Sequence, residues 1–376
     1  MRVLQRYFGV EVIRAVLFVM LALLVLFSFF DLMAELTDLN KGGYRLQHAF
    51  LFVMLRMPGY IYEFMPIAVL IGTIQVLSQF ASNSEFTIMR AASMSTMMAA
   101  GMLAKIGLIF VAVTFLFGEI ISPNSSRLAD KVKMSAMGAS AAQEFRSGLW
   151  TKDLIRSEGS SGEVSGSRIL NVKEVLPDRT LLGLKIYEFD RDFHLARQIN
   201  AARAQYLGRN VWRLSEVNET AFPKTLSAED ISSISSQTFA TTEIISEITP
   251  EILSVIFVDP DRMSAYDLAA YTKHLADNKQ DSERYQIAFW KKITYPFAIL
   301  VMMALALPFA YLHVRSGTVS LKIFSGIMIG LVFYLFNSLF SHIGLLNTWP
   351  APLTALAPSL LFMLIALGAL RYVERH

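Results

Sequence analysis

Six stretches of the chain are apolar for long enough to cross a bilayer, and they fall in two groups of three: about Val10 to Met33, Ala49 to Phe80 and Met97 to Ile121, then Ile287 to Leu312, Val319 to Phe340 and Pro352 to Leu370. The stretch between the groups, Ser122 to Gln286, is too polar for lipid. Its pattern has a period of two. Ser167 to Val175, Leu182 to Asp190, Leu195 to Tyr206 and Val211 to Thr220 alternate apolar with polar residues. Turn signals at Pro177-Asp178 and Gly208-Arg209-Asn210 separate them, which predicts a sandwich or barrel-like β domain. Ser157 to Ser167 has the composition of a loop. After Asp259-Pro260-Asp261 the period lengthens. Ser264 and Asp267 resemble a capping box, and Leu268, Tyr271 and Leu275 form one face of a helix leading back to the membrane. The chain thus divides into spans one to three (1–121), a β domain (122–263), and a connecting helix with spans four to six (264–376). The second stretch is overlong and holds Arg56, Pro58, Glu63 and Pro66. Its spanning part is expected at Phe64 to Phe80, with the earlier half tilted, broken or facing protein.

The second and third spans are joined by Ser78 to Thr96, SQFASNSEFTIMRAASMST, whose only charges are Glu85 and Arg90. Apolar Phe86, Ile88 and Met89 suit a short amphipathic helix, about 82–95, that lies on the membrane or docks into a groove on a partner. A plain hairpin turn is the simpler alternative.

Composition supports the membrane reading: 54% of residues are hydrophobic and 17% charged, with a mean hydropathy of +0.44. A net charge of +3 gives no basic field for nucleic acid. Cysteine is absent, which excludes disulfides, thiol catalysis and thiolate-bound metals. No phosphate-binding Gly-rich loop and no nucleophile elbow occurs, and the six histidines lack metal-ligand spacing. Arg2 and Arg6 precede an apolar run without a small-residue cleavage site, so a retained first span is expected. Basic residues such as Arg2, Arg6, Arg14, Arg371 and Arg375 put both termini and the Ser78 to Thr96 turn on the cytoplasmic side, with the β domain outside. Arg284, Lys291 and Lys292 break that pattern at the outer start of the fourth span. Gly326 and Gly330 permit close helix approach, either within the bundle or between subunits.

Taken together, Ser84-Glu85-Phe86-Thr87-Ile88-Met89-Arg90-Ala91, Gly148-Leu149-Trp150-Thr151-Lys152-Asp153, Asp259-Pro260-Asp261, Arg284-Tyr285-Gln286 and Trp290-Lys291-Lys292-Ile293 make the chain similar to a known family. It resembles the LptF/LptG (YjgP/YjgQ-type) permeases of the lipopolysaccharide export machine over essentially its whole length, and the G branch more closely. The resemblance implies an α-helical integral membrane protein of the bacterial inner membrane. Six transmembrane helices in two groups of three would carry a periplasmic all-β, jellyroll-like domain between spans three and four. It further implies an LptF-type partner, an LptB-type ATPase dimer that binds the ATP, delivery of lipid to LptC and then LptA, and no catalytic residue, metal or cofactor of the chain's own.

Under that resemblance Glu85, Phe86, Ile88, Met89 and Arg90 would couple to the ATPase, and lipid would be met by Lys41, Arg127, Lys131, Lys133, Arg284, Lys291 and Lys292. Phe27, Phe30, Gly326 and Gly330 would line a lateral gate between subunits. One departure is the first outer loop, where Asp31, Glu35 and Asp38 predominate over Lys41 and Arg45. Two rival readings are the F-type member and a membrane-anchored scaffold whose β domain only binds protein partners.

Overall fold

The computed structural model describes residues 2–91, 94–137, 149–156, 164–175, 180–223, 234–250, 252–253, 259–278, 280–311, 319–347 and 349–375. The apolar stretches form six membrane-spanning helices or helical series, because in lipid the backbone must satisfy its own hydrogen bonds. They are α1 (Arg2–Glu35); α2 (Leu46–Ser82); α4 (Thr96–Leu116) continuing into α5 (Ser122–Met137); α7 (Glu283–Thr294) with α8 (Ala298–Ala306); α9 (Val319–Leu346); and α10 (Ala351–Arg375). A short α3 (Glu85–Ala91) lies between α2 and α4, and α6 (Ala265–Asp277) precedes α7.

Helix α2 is the hub. Of its most apolar window 78% is buried within the chain, against 22% in α1 and 22% in α9, so these two present most of their apolar surface outward. Pro58 and Pro66 leave α2 one unbroken helix, whose first half buries Ala49, Phe52 and Val53 and leaves Leu46, Phe50, Leu51 and Met54 exposed. The fourth span is interrupted instead. Pro296 and Pro308 each begin a 3₁₀ turn, Tyr295–Phe297 and Leu307–Ala310, because proline lacks the donor that an α-helix needs.

The third span departs from expectation at its C-terminal end. Ser122–Met137 is helical rather than the beginning of the β domain. Average polarity misled there: Ala129 is small and fully buried against Phe52 and Val53 of α2, while the polar residues lie on other faces. The end of α5 is clasped by the loop between α1 and α2. Gly42 takes a left-handed φ of 62°, and a Cβ there would lie 2.2 Å from the Met137 carbonyl oxygen, so only glycine allows the approach.

The domain between spans three and four contains one six-stranded antiparallel sheet, each strand paired with its sequence neighbours: β1 (Leu149–Arg156), β2 (Val164–Val175), β3 (Leu181–Phe189), β4 (Leu195–Gly208), β5 (Val211–Ala221) and β6 (Ser235–Ile245). A β domain stands where the sequence and the resemblance place one, but its described strands form a single sheet in meander order, not the two packed sheets of a sandwich or jellyroll. Arg209 and Asn210, both at positive φ, make the tight β4–β5 hairpin. Val164 to Ser167 belong to β2, not to the expected loop, whose residues 157–163 fall outside the described ones. One face of the sheet buries Val172, Leu184, Ile186, Ile199, Leu214 and Val217 beneath Ile248 and Leu253.

A row of alternating charge crosses β1 to β4. Asp153, Arg168, Glu188 and Arg197 stand directly opposite one another on successive strands. Arg168 Nε lies 3.1 Å from Asp153, Glu188 lies 2.6 Å from Arg197, and Arg197 reaches Glu219 at 3.1 Å. Asp153 is fully buried and accepts from the Ser246 hydroxyl at 2.7 Å. Burial pushes its pKa up, while Arg168 and the Ser246 hydroxyl pull against that.

Helix α6 ties the domain to the bundle. Ser264 caps it: the Asp267 N–H donates to Ser264 Oγ at 3.1 Å, and that hydroxyl donates to the Asp267 carboxylate at 2.7 Å. Leu268, Tyr271 and Leu275 form its buried face, as the capping and periodicity predict. The Ala265 N–H donates to Glu119 at 2.9 Å, joining the cap to the third span.

Candidate functional site

Two regions gather the candidate residues, one at each end of the bundle. The first is a polar cavity of about 280 Å³ where α2, α5, α7, α9 and the turn Pro260–Arg262 converge. Arg56 and Glu63, seven residues apart on α2, both face it, together with Tyr60 and Tyr62. Helix α7 contributes Lys291 and Lys292, α9 contributes Tyr334, Asn337 and Ser338, and α5 contributes Ser122 and Ser126. Glu63 accepts from the Tyr334 hydroxyl at 3.1 Å, and its backbone carbonyl accepts from the Tyr295 hydroxyl at 2.5 Å.

The structure separates the seven expected lipid-binding cations by their partners. Lys133 bridges Glu35 at 2.9 Å and Asp38 at 2.8 Å, and Lys41 meets Asp38 at 2.5 Å. Glu35 and Asp38 are therefore counter-charges to these two lysines, Tyr44 donates its hydroxyl to Glu35 at 2.8 Å, and Asp31 accepts from the Tyr60 hydroxyl instead. Arg127 is paired with Asp267 of α6, Arg284 with Asp259 at 3.3 Å, and Lys291 with Asp261 at 3.4 Å. Lys131 is exposed and has no ion-pair partner among the described residues. Lys292 is different: it is 4% exposed, and its ammonium sits 4.4 Å above the Tyr62 ring without a carboxylate in ion-pair range among the described residues. Arg56 and Arg262 complete the basic lining. The charge of Arg56 inside an overlong apolar stretch was the available signal for it; nothing local marks Arg262.

The second region is α3. Ser84, at φ 61°, turns the chain out of α2. Phe86 is buried edge-on against Tyr311 with ring centroids 5.1 Å apart, and Met89 is buried in the same core. These two hold α3 to its own bundle rather than reaching into a partner's groove, which corrects the expectation for them. Ile88, 66% exposed, is the apolar residue that stays available. The Glu85 carboxylate accepts from the Tyr7 hydroxyl at 3.3 Å and from the Asn83 amide at 3.2 Å, and no cation of the described residues pairs with it. Arg90 lies near the end of α3.

The gate residues also divide. Phe30 is exposed, but Phe27 stacks on Phe64 of α2 at 4.2 Å and so faces its own bundle. Gly326 and Gly330 face α2 as well. A Cβ on Gly326 would come within 2.8 Å of Ile74, and one on Gly330 within 3.0 Å of Ile67. They serve packing inside the chain; the outward ridge of α9 is Phe324, Leu331 and Leu335. At the β3–β4 turn Asp190, Asp192 and His194 cluster. There the Asp190 carboxylate accepts from the N–H groups of Asp192 and His194, both at 2.9 Å, which holds its pKa below the usual value.

Comparison with known proteins matches this architecture. The family described as lipopolysaccharide export system permease LptF/LptG matches residues 6–372. The chain belongs to that family. It is 30% identical over 371 residues to the lipopolysaccharide export system permease protein LptG of Escherichia coli (strain K12), covering 98% of both chains. It is 29% identical over 365 residues to the protein of the same name from Haemophilus influenzae (strain ATCC 51907 / DSM 11121 / KW20 / Rd), covering 96% of both. The chain is therefore a multi-pass membrane protein of the LptF/LptG permease family with a β domain between its third and fourth spans.

Proposed function

We propose that the chain is the G-type permease subunit of an ATP-driven exporter in the bacterial inner membrane. With an LptF-type partner it extracts lipopolysaccharide from the outer leaflet and passes it to LptC and LptA. The observation that carries this reading is the match to the permease family over residues 6–372, and the apolar outward faces of α1 and α9 are compatible with it. Leu17, Leu21, Phe29 and Phe30 on one helix and Phe324, Leu331 and Leu335 on the other are exposed by the chain itself, as two walls of an inter-subunit seam would be. The G assignment is favoured because the relatives named above are both LptG.

The remaining parts then take roles. An LptB-type ATPase dimer in trans binds the nucleotide and engages α3 through Glu85 and Ile88. Both termini and α3 are cytoplasmic, and the sheet is periplasmic. A cysteine at Phe30 and another at the facing position of the partner's fifth span test the seam, because a disulfide forms only when the α-carbons come within about 7 Å. The chain has no cysteine of its own, so the crosslink is unambiguous. Oxidation is expected to stop lipid export and reduction to restore it. Export that continues with the crosslink in high yield would place the lipid path elsewhere.

A further inference from the structure

We infer that the face of the sheet turned away from its apolar core binds the oligosaccharide part of the exported lipid, with Trp150 and Tyr187 as the platform for its sugar rings. Side chains alternate between the two faces of a strand, so the registers sort them. Leu170, Ile186 and Ile199 are buried on one face, and the row Asp153, Arg168, Glu188 and Arg197 shares it. The opposite face holds a row that runs from Trp150 through Asn171 and Lys185 to Asn200 and Asn218. Beside it lies a second row with Lys152, Tyr187 and Gln198. Neither row has a carboxylate on any of the six strands, since the remaining members are Ile169, Thr220, Thr238 and Ser236.

Three properties of this face fit a saccharide. Trp150 is 52% exposed, and its ring lies 6.1 Å from that of Tyr187 with the planes within 14°. The two rings come from β1 and β3 and meet across β2. Together they offer negative ring faces to the weakly positive C–H groups on the flat side of a sugar. Around them stand amides, which both donate and accept, as sugar hydroxyls require. The Gln198 amide donates to Asn200 at 3.4 Å, and Asn218 accepts from the Ser236 hydroxyl at 2.9 Å, so the amides are held in place with bonding capacity left over. Lys152 and Lys185 add positive charge without an ion-pair partner among the described residues, which suits carboxylated sugars. From Trp150 to Asn200 the surface crosses three strand intervals, roughly 14 Å at about 4.8 Å each, the reach of a short oligosaccharide. A protein partner is the poorer fit, because Ile169 is the one aliphatic side chain in the two rows and a protein interface is built on an apolar centre. That the sugar belongs to the exported lipid rests on the export function proposed above; the saccharide chemistry of the face does not.

The test uses the whole permease complex in phosphatidylcholine nanodiscs, with four probes: lipopolysaccharide carrying its core sugars, lipid A without them, the lipid-free core oligosaccharide, and that oligosaccharide with its carboxyls reduced. The variants are Trp150→Ala, the ring-keeping Trp150→Phe, and Lys152→Gln combined with Lys185→Gln. Tyr266→Ala, at an exposed aromatic on α6, is the control. Wild type is expected to hold lipopolysaccharide more tightly than lipid A, and Trp150→Ala to lower affinity for the free oligosaccharide about 10-fold. Trp150→Phe and the control should stay close to wild type. The lysine variant should lose a preference of about 3- to 10-fold for the unreduced oligosaccharide, most visibly at low salt. Lipid A binding should be the same throughout. Should Trp150→Ala disturb the sheet, seen as lost hydrogen-exchange protection in β1, the lysine variant decides, because it leaves both rings in place. Free oligosaccharide that fails to bind wild type, or binds every variant alike, overturns the inference, as does equal affinity for lipopolysaccharide and lipid A. A photo-crosslinker at Lys185 that captures only protein in the working complex would overturn it too. ATPase retention is scored in the same samples, so a wild-type complex without its ATPase would count against the export reading while the free oligosaccharide still reports on the face.

Discussion

Glu85→Lys is expected to strip the ATPase from the complex and abolish lipid release while the six-span bundle stays folded. The carboxylate is held by two neutral donors, Tyr7 and Asn83, and no cation among the described residues pairs with it. A partner's arginine or lysine would complete it. Reversing the sign at a partly desolvated interface costs about 2 to 5 kcal/mol, because a cation would then face a cation. The fold should tolerate the change, since α3 is anchored by Phe86 and Met89, which the substitution leaves in place. ATPase co-purification and lipid release measured beside wild type decide the matter. Full retention with full export would mean that α3 transmits nothing through this residue.

The largest stability effect is expected in the β domain, from Arg168→Leu. Its guanidinium is the cation beside fully buried Asp153 and also donates to the Ile245 carbonyl, so it fastens β1 and the end of β6 to β2. Removing one partner of a buried pair leaves a charge in low dielectric and costs about 3 to 5 kcal/mol. Hydrogen exchange of the full chain should show β1 and β2 losing protection while α2 and α8 keep theirs. A double change, Arg168→Leu with Asp153→Asn, should recover part of the loss, because no carboxylate is then stranded. Wild-type protection in the single variant would make the charge row decorative.

The spans and four of the six strands were legible because each carries a period that matches its environment. Strands β1 and β6 were not. Leu149–Arg156 mixes Lys152, Asp153 and Arg156 into eight residues, and Ser235–Ile245 is an exposed edge rich in Ser and Thr, so neither shows a clean apolar face. The row Asp153, Arg168, Glu188 and Arg197 was equally hidden, since it exists only once three strand registers are set. Local pattern could mark Lys291 and Lys292 as misplaced cations. It could not tell them apart, because the difference is Asp261, brought from thirty residues away to one of the two. For the same reason Gly326 and Gly330 were ambiguous: small residues announce a close contact but not which helix makes it, and here it is α2.

The central claim, that this chain is one half of a lipid-export permease driven by a separate ATPase, is tested most directly by native mass spectrometry of the complex purified from membranes under mild detergent. The account predicts one copy of this chain, one LptF-type permease, two ATPase chains and bound lipopolysaccharide. Recovery of the chain with periplasmic protein partners alone, without ATPase or lipid, would contradict it.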